Sequence, residues 1–255
     1  MLAFFFQKLS LGNFFFDSIF LNHMGAFFFF RSDKNLPSFE DYAGFQEILN
    51  RKIEAAEQFI SNDPTLSKYL LQAKEEYVAI TGRLNEGEEG YLQRIKAFLI
   101  WFLFSWELPP KMEETPFSRF KNSLSDQKEK EIAAAMEKNI HSLFLFEKKA
   151  KNGVHVRDLF TKKRYFLAHL ESFDGFENGF WFETRLFPVE GAYVVADYII
   201  LHPKSLLKAI GAQIKKYQPH PKAFFGFLLQ LQNYYSKWKN YKKIDVESIY
   251  TFHRK

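Results

Sequence analysis

The sequence predicts an α+β protein with an N-terminal helical region, a small five-stranded antiparallel β module and C-terminal helices. Three observations predict it. Apolar residues recur at helical spacing through the first half of the chain, beginning with Phe45, Ile48 and Leu49. Between Ile140 and Leu201 the pattern shortens to runs of β-formers separated by turn residues. From Ser205 the helical spacing returns. These changes divide the chain into residues 1–37 (Phe-rich), 38–138 (helical), 139–203 (β module) and 204–255 (basic and helical).

The elements follow in order. Ser38 precedes a helical pattern carried by Phe45, Ile48, Leu49, Ile53, Phe59 and Ile60, with Asp41 acidic in its first turn. Asn62-Asp63-Pro64 breaks it, and Pro64 suits the first turn of a second helix striped by Leu66, Tyr69, Leu70, Ala73, Tyr77 and Ile80. Residues 82–90 are acidic and bounded by glycines, which predicts a loop. A third helix spans about residues 90–106 and stops at Pro109-Pro110; Pro116 opens a short one. Ser125 is the candidate cap of another over residues 126–138.

Strands are expected over residues 140–146, 154–160, 164–169, 180–187 and 193–201, with Asn152-Gly153 as a turn signal. Within this module, GVHVRDLFTKKRY reads as a tight hairpin, with Asp158 just before the turn and an aromatic just after it. Five short strands with tight turns predict a strongly bent sheet or an SH3/OB-like barrel. Helices return over residues 205–216 and, after a Pro-containing break, to about residue 241; the last residues are basic and expected to be loosely held.

The chain has 255 residues, enough for a sizeable core, with 47% hydrophobic and 25% charged residues. Cysteine is absent, which excludes disulfides and thiolate chemistry and fits a reducing, cytoplasmic compartment. No membrane span is expected: the apolar run AFLIWFLFSW has ten residues, against roughly 20 for a crossing. Thirty-two phenylalanines are the compositional outlier, three runs of them (residues 4–6, 14–16 and 27–30) lying near the N-terminus. Lys8, Asn13, Asp17 and His23 interrupt that segment, so it does not read as a secretory signal. Either it is an interfacial anchor, or Met24 rather than Met1 is the start.

Charge is unevenly spread. Residues 39–92 hold 11 Asp+Glu against 5 Lys+Arg, a balance of −6, whereas residues 204–255 hold 11 Lys+Arg against 2 Asp+Glu, a balance of +9. The asymmetry fits either an anionic partner for the tail or attraction between the two ends within one fold.

Four segments carry a family resemblance: AFLIWFLFSWELPP, ETPFSRF, HSLFLFEKKAKNGVHVRDLFTKKRYFL and WFETRLFPVEGAYVVAD. Over about residues 94–202 the chain resembles an uncharacterised group of bacterial proteins that often carry a SEC-C zinc module. The group implies no activity. Without cysteine the usual zinc ligand set cannot be built here.

Candidate chemistry is sparse. Arg157 and Asp158 are adjacent on a strand and leave opposite faces, so Asp158 is expected to accept turn N–H groups. Arg157 and Arg185 are each expected to cap a carbonyl or pair with Glu183 or Asp197; if they share an outer face, an anion-binding patch is the alternative. His141, His155 and His169 lie on three strands without local carboxylates, a weak pattern for a metal; His202 and His220 have no visible partner. Glu86, Glu88 and Glu89 read as solvated, and no nucleophile elbow, phosphate-binding loop or dinucleotide fingerprint is present. No catalytic residue, cofactor or metal is therefore assigned.

The C-terminal region is the best functional candidate. Lys215, Lys216, Lys237, Trp238, Lys239, Lys242 and Lys243 combine charges for phosphates with aromatics for bases. The competing reading is a docking helix whose stripe (Phe224, Phe225, Phe227, Leu228, Leu229, Leu231 and Trp238) is buried under wet lysines. The expected function is a non-catalytic binding or adaptor protein with a protein partner. Nucleic-acid binding through the basic aromatic tail is the alternative, and a hydrolase comes third.

Overall fold

The structure, a computed structural model, describes residues 39–109, 114–168, 173–189 and 191–251. The Phe-rich segment, Ser38, Pro110 and His169 lie outside the described residues. Five helices come first: α1 (Phe39–Asn62), α2 (Pro64–Thr81), α3 (Tyr91–Ser105), α4 (Pro116–Ser123) and α5 (Gln127–Met136). Asp63 ends one helix and starts the next, its Oδ1 accepting the N–H groups of Thr65 (2.8 Å) and Leu66 (3.1 Å) ahead of the α2 stripe. The cap of α5 is Asp126 rather than Ser125: its carboxylate accepts the Glu129 N–H at 2.8 Å. Helix α3 is buried almost all round, because α1, α2 and α4 pack around it and the barrel lies beneath.

Six strands follow: β1 (Ile140–Ala150), β2 (Gly153–Asp158), β3 (Arg164–Leu167), β4 (Trp181–Val189), β5 (Ala192–Val195) and β6 (Ile200–His202). The order β1-β2-β3-β5-β4 closes through β1–β4, making a five-stranded barrel, and β6 adds to the free side of β4. The expected module is thus present, with two corrections. Residues 193–201 form two strands rather than one, because the chain turns away at Ala196, whose N–H bonds the Arg185 carbonyl at 2.8 Å. The closure is not wholly antiparallel, since β3 meets β5 in parallel through Leu167 and Tyr193.

Strand β1 is long because it serves two neighbours. Its first half pairs β4, its second half pairs β2, and a bulge at Glu147 bends it between them. Phe144, Phe146, Val154, Val156, Leu167, Phe182, Leu186 and Val195 fill the barrel, and Phe173 seals it. The β1–β2 turn is made by Lys151-Asn152, and Gly153 already pairs Ala150 in the ladder. Its missing side chain answers a packing need: a Cβ there would lie 2.1 Å from the Leu167 carbonyl oxygen and 2.7 Å from the Phe166 ring.

After a 3₁₀ turn (Lys204–Leu206), α6 (Leu207–Tyr217), α7 (Pro221–Asn240) and α8 (Val246–Ile249) cover the outer face of β1 and β4, burying Leu143 and Trp181. The basic residues 252–255 lie outside the described residues, and the segment just before them is packed in place. Asp245 caps α8, and Ile249 and Tyr250 are buried.

Gly153→Ala is expected to destabilise the fold by about 1–3 kcal/mol through overpacking. A urea denaturation midpoint that does not fall would contradict this account of the position.

Candidate functional site

Strand β4 is buried on both faces, and its outward residues carry the charge. By register, Trp181, Glu183 and Arg185 stand opposite Leu145, Leu143 and His141 on the face roofed by helices. Glu183 Oε1 accepts hydrogen bonds from Gln232 Nε2 of α7 (2.5 Å) and from His141 Nε2 (2.8 Å). The Tyr77 hydroxyl of α2 donates to Gln232 Oε1, so one carboxylate joins the barrel to both helical layers. Burial holds the His141 imidazole below its ordinary range against the opposing pull of Glu183, and pushes the Tyr77 phenol well up. The neutral imidazole donates from Nε2 and has no hydroxyl or thiol to activate among these partners. Glu183 Oε2 is buried without a hydrogen-bond partner among the described residues.

Arg185 stands next in this row. Its Nη1 donates to Asn139 Oδ1 and its Nη2 to the Ser105 hydroxyl, and the guanidinium lies 5.7 Å from the Phe104 ring centroid. Arg185 thus has a structural role, and the alternative of a shared anion-binding patch with Arg157 does not form: α3 covers Arg185, which is 2% exposed. Arg157 is on the open side, where Glu147 bridges it (3.2 Å) to its cross-strand neighbour Arg164 (3.0 Å).

One histidine also differs from expectation. His202 has partners: it ends β6, stacks on Trp181 at 4.4 Å and 12°, and shares a 3.0 Å hydrogen bond with the Tyr250 hydroxyl. With burial as the only cause, its imidazole falls to about 3. His155 packs on Phe166, and the described residues hold no group of three or more His, Asp or Glu arranged for a metal.

The basic residues separate into two groups. In the tail, Lys239 and Lys242 both reach Glu89, each at 2.9 Å, and these two hydrogen bonds hold its carboxyl well below the usual range. Lys239 also lies 4.9 Å from the Trp238 ring centroid, and the half-buried Trp238 packs into two cores at once. The acidic loop is locked there by Gly90, in the left-handed region at φ +83°, where any Cβ would meet the Tyr235 ring at 2.8 Å. Arg94 reinforces the join: its guanidinium donates to the carbonyls of Thr81, Gly82 and Arg83 at the end of α2 and to Ser236 of α7. Two of the tail's cations thus answer the acidic loop, while Lys237 and Lys243 stay exposed.

The second group lies at the hairpin. Asp158 points into the barrel end, where Oδ1 accepts the N–H groups of Phe160 (2.7 Å) and Thr161 (3.1 Å) and the Ser142 hydroxyl (2.9 Å). This frees Thr161, Lys162 and Lys163 to face solvent, with Lys162 in the left-handed region at φ +65°. The end of α6 docks beside them: Gln218 Nε2 donates to the Phe160 carbonyl at 3.2 Å, and Phe160 stacks on Phe224 of α7 at 4.2 Å. Lys215 and Lys216 occupy the last turn of α6, where their charge also suits the helix dipole. Burial first, then the charges of Arg157 and Lys215, hold the Lys162 ammonium below its ordinary range against the opposing pull of Asp158, and its Nζ donates to the Leu159 carbonyl. Lys162, Lys163, Lys215 and Lys216 make no ion pair among the described residues.

The family model that matches this chain covers residues 33–223, about three quarters of its length. The chain belongs to a family of unknown function, DUF7986. No curated protein and no solved structure matches it. The DUF7986 segment is wider than the resemblance over about residues 94–202 indicates. It takes in the first helices, the whole barrel and α6, and ends before Trp238. Among the described residues no helix is long and apolar enough to cross a membrane.

Sequence reasoning passed over both the Glu183 cluster and the turn lysines. A lone Glu within WFETRLF, a strand otherwise rich in aromatics, was the available signal for the first. Nothing local signals the meeting of Lys162 with Lys215.

Glu183→Ala strands the His141 and Gln232 N–H donors in the interior and is expected to cost about 3 kcal/mol; Glu89→Ala, on the open surface, should leave the urea midpoint nearly unchanged. Equal midpoint shifts would overturn the role given to Glu183.

His202 has a folded pKa depressed far below its unfolded value near 6.5, so its contribution is complete above that pH and is lost as pH falls towards 3. From pH 6.5 to 5 the loss is about 2 kcal/mol. Stability measured by urea titration across that range should fall, and His202→Phe should flatten the dependence.

Proposed function

We propose that this DUF7986 protein is a non-catalytic binding module that engages an anionic macromolecular partner through the hairpin–α6 corner. One observation carries the reading: two lysine pairs about fifty residues apart in sequence converge there with no carboxylate paired to them among the described residues. Unneutralised charge of one sign attracts a counter-charged partner over about a Debye length. Several ionisable groups elsewhere are engaged internally. Glu183, His141 and Arg185 hold layers together, and Glu89 answers Lys239 and Lys242. The corner also falls within the family segment.

The setting we propose is the cytoplasm of a bacterial cell, supported by the lack of cysteine and by the resemblance to bacterial proteins that carry SEC-C modules. An adaptor role fits a scaffold whose layers are pinned by buried polar contacts, since a rigid frame presents its surface charges in a fixed arrangement. The alternative site, the tail with Lys237, Trp238, Lys239, Lys242 and Lys243, is weaker, because Glu89 holds two of those cations and Trp238 is packed inward.

Heparin-agarose tests the corner as a polyanion site. The wild-type chain should be retained at low salt, and the variant Lys162→Asn, Lys163→Gln, Lys215→Gln, Lys216→Gln should elute early with an unchanged melting temperature. Asn is chosen at Lys162 because it tolerates the left-handed backbone. Retention unaffected by the four changes would remove the corner as the site.

A further inference from the structure

A protein partner and a nucleic acid leave different marks on the surface that meets them. Protein interfaces centre on apolar and aromatic side chains within a polar rim, whereas nucleic-acid interfaces are more polar and far more positive. At the corner the exposed residues are Thr161, Lys162, Lys163, Arg164, Lys215 and Lys216. Its apolar members are spent inward: Leu159 is buried, Phe160 stacks on Phe224, and Tyr217 stacks on Phe227 at 4.8 Å and 24°. The exposed large apolar residues Leu71, Ile80, Leu92, Tyr241 and Ile244 come from α2, α3 and the segment after α7, not from the hairpin or α6. Phe225 of α7 is exposed but lies over His141.

The charges themselves are suited to phosphates. Four of the cations are lysines, compact point charges on flexible stems that need no fixed geometry from their ligand. Glu147 lies against the Nε of Arg157 (3.2 Å) and of Arg164 (3.0 Å) and offsets part of their charge. Neighbouring residues on a helix diverge by about 100°, so Lys215 and Lys216 spread their ammonium groups over more than one phosphate. With no open aromatic face at the corner, no platform is offered for unpaired bases.

We infer that the corner's ligand is the phosphate backbone of nucleic acid, held by Lys162, Lys163, Lys215 and Lys216 without base stacking or base-edge readout. This inference rests on the corner being a polyanion site and assigns that site its ligand class. Binding of this kind is independent of sequence and strongly dependent on salt.

The test is fluorescence anisotropy of the full chain with a labelled mixed-sequence DNA duplex, titrated at several salt concentrations between about 50 and 200 mM. Four lysine contacts predict a slope of log K against log salt of about −3.5, and Lys162→Asn or Lys215→Gln should each reduce it by about 1. Shuffled duplexes should bind equally, and Tyr241→Ala should change nothing. Heparin retention without duplex binding would overturn the nucleic-acid assignment while leaving the polyanion site standing; loss of both would remove the two together. Binding to phosphatidylserine vesicles tighter than to duplex would overturn the assignment in favour of a lipid surface. A preference for single-stranded oligothymidine that Tyr241→Ala abolishes would overturn the backbone-only mode.

Discussion

One carboxylate buried at the centre of β4 governs how the parts of this molecule meet. A strand covered on both faces normally offers only apolar side chains to its neighbours, and such surfaces can slide. Glu183 forbids sliding. Its Oε1 needs the donors of His141 and Gln232, and Gln232 in turn takes the Tyr77 hydroxyl, so barrel, C-terminal helix and N-terminal helix share one geometry. The net stability from such a cluster is modest, because desolvating a carboxylate offsets most of its hydrogen bonding. Its effect is on uniqueness: arrangements that misplace any of the three layers leave a buried polar group unpaired.

The same economy explains the surface. Where acidic and basic stretches of the sequence meet, their charges are partly offset in place, one carboxylate to two cations, as with Glu89 between Lys239 and Lys242, and Glu147 between Arg157 and Arg164. Net charge by region is therefore a poor guide to available charge. The tail has the larger excess in sequence, yet Lys239 and Lys242 face the acidic loop. The hairpin has only a pair of turn lysines, yet α6 adds its own pair beside them.

Local rules made most of the fold legible. Pro64 and Asp63 marked a helix boundary, the switch to strand spacing at Ile140 marked the barrel, and Asp158 behaved as its place before a tight turn required. What escaped depends on partners distant in sequence. His202 looked unpartnered because Trp181 and Tyr250 reach it only after β6 and α8 have docked. Arg185 kept a surface alternative because a strand's alternation gives its face, and only the tertiary fold puts α3 over that face. Gly153 looked like a turn glycine, although its role is set by the Leu167 carbonyl across the ladder. The candidate site was half legible: its lysines on α6 were singled out, and those of the turn were read only as turn residues.

The position of β4 and β5 in the chain also bears on biosynthesis. The core of the N-terminal helices is completed by Phe187, Val189, Ala192 and Val194, and by Leu229 and Tyr235 of α7. A ribosome delivers α1 to α5 well before any of these residues. Until then the helices expose the apolar surface meant for the barrel, the condition in which nascent chains attract chaperones or aggregate. Emergence of residues 181–202 thus begins to cover that surface, and the earlier half of the protein finishes folding only once Leu229 and Tyr235 have followed.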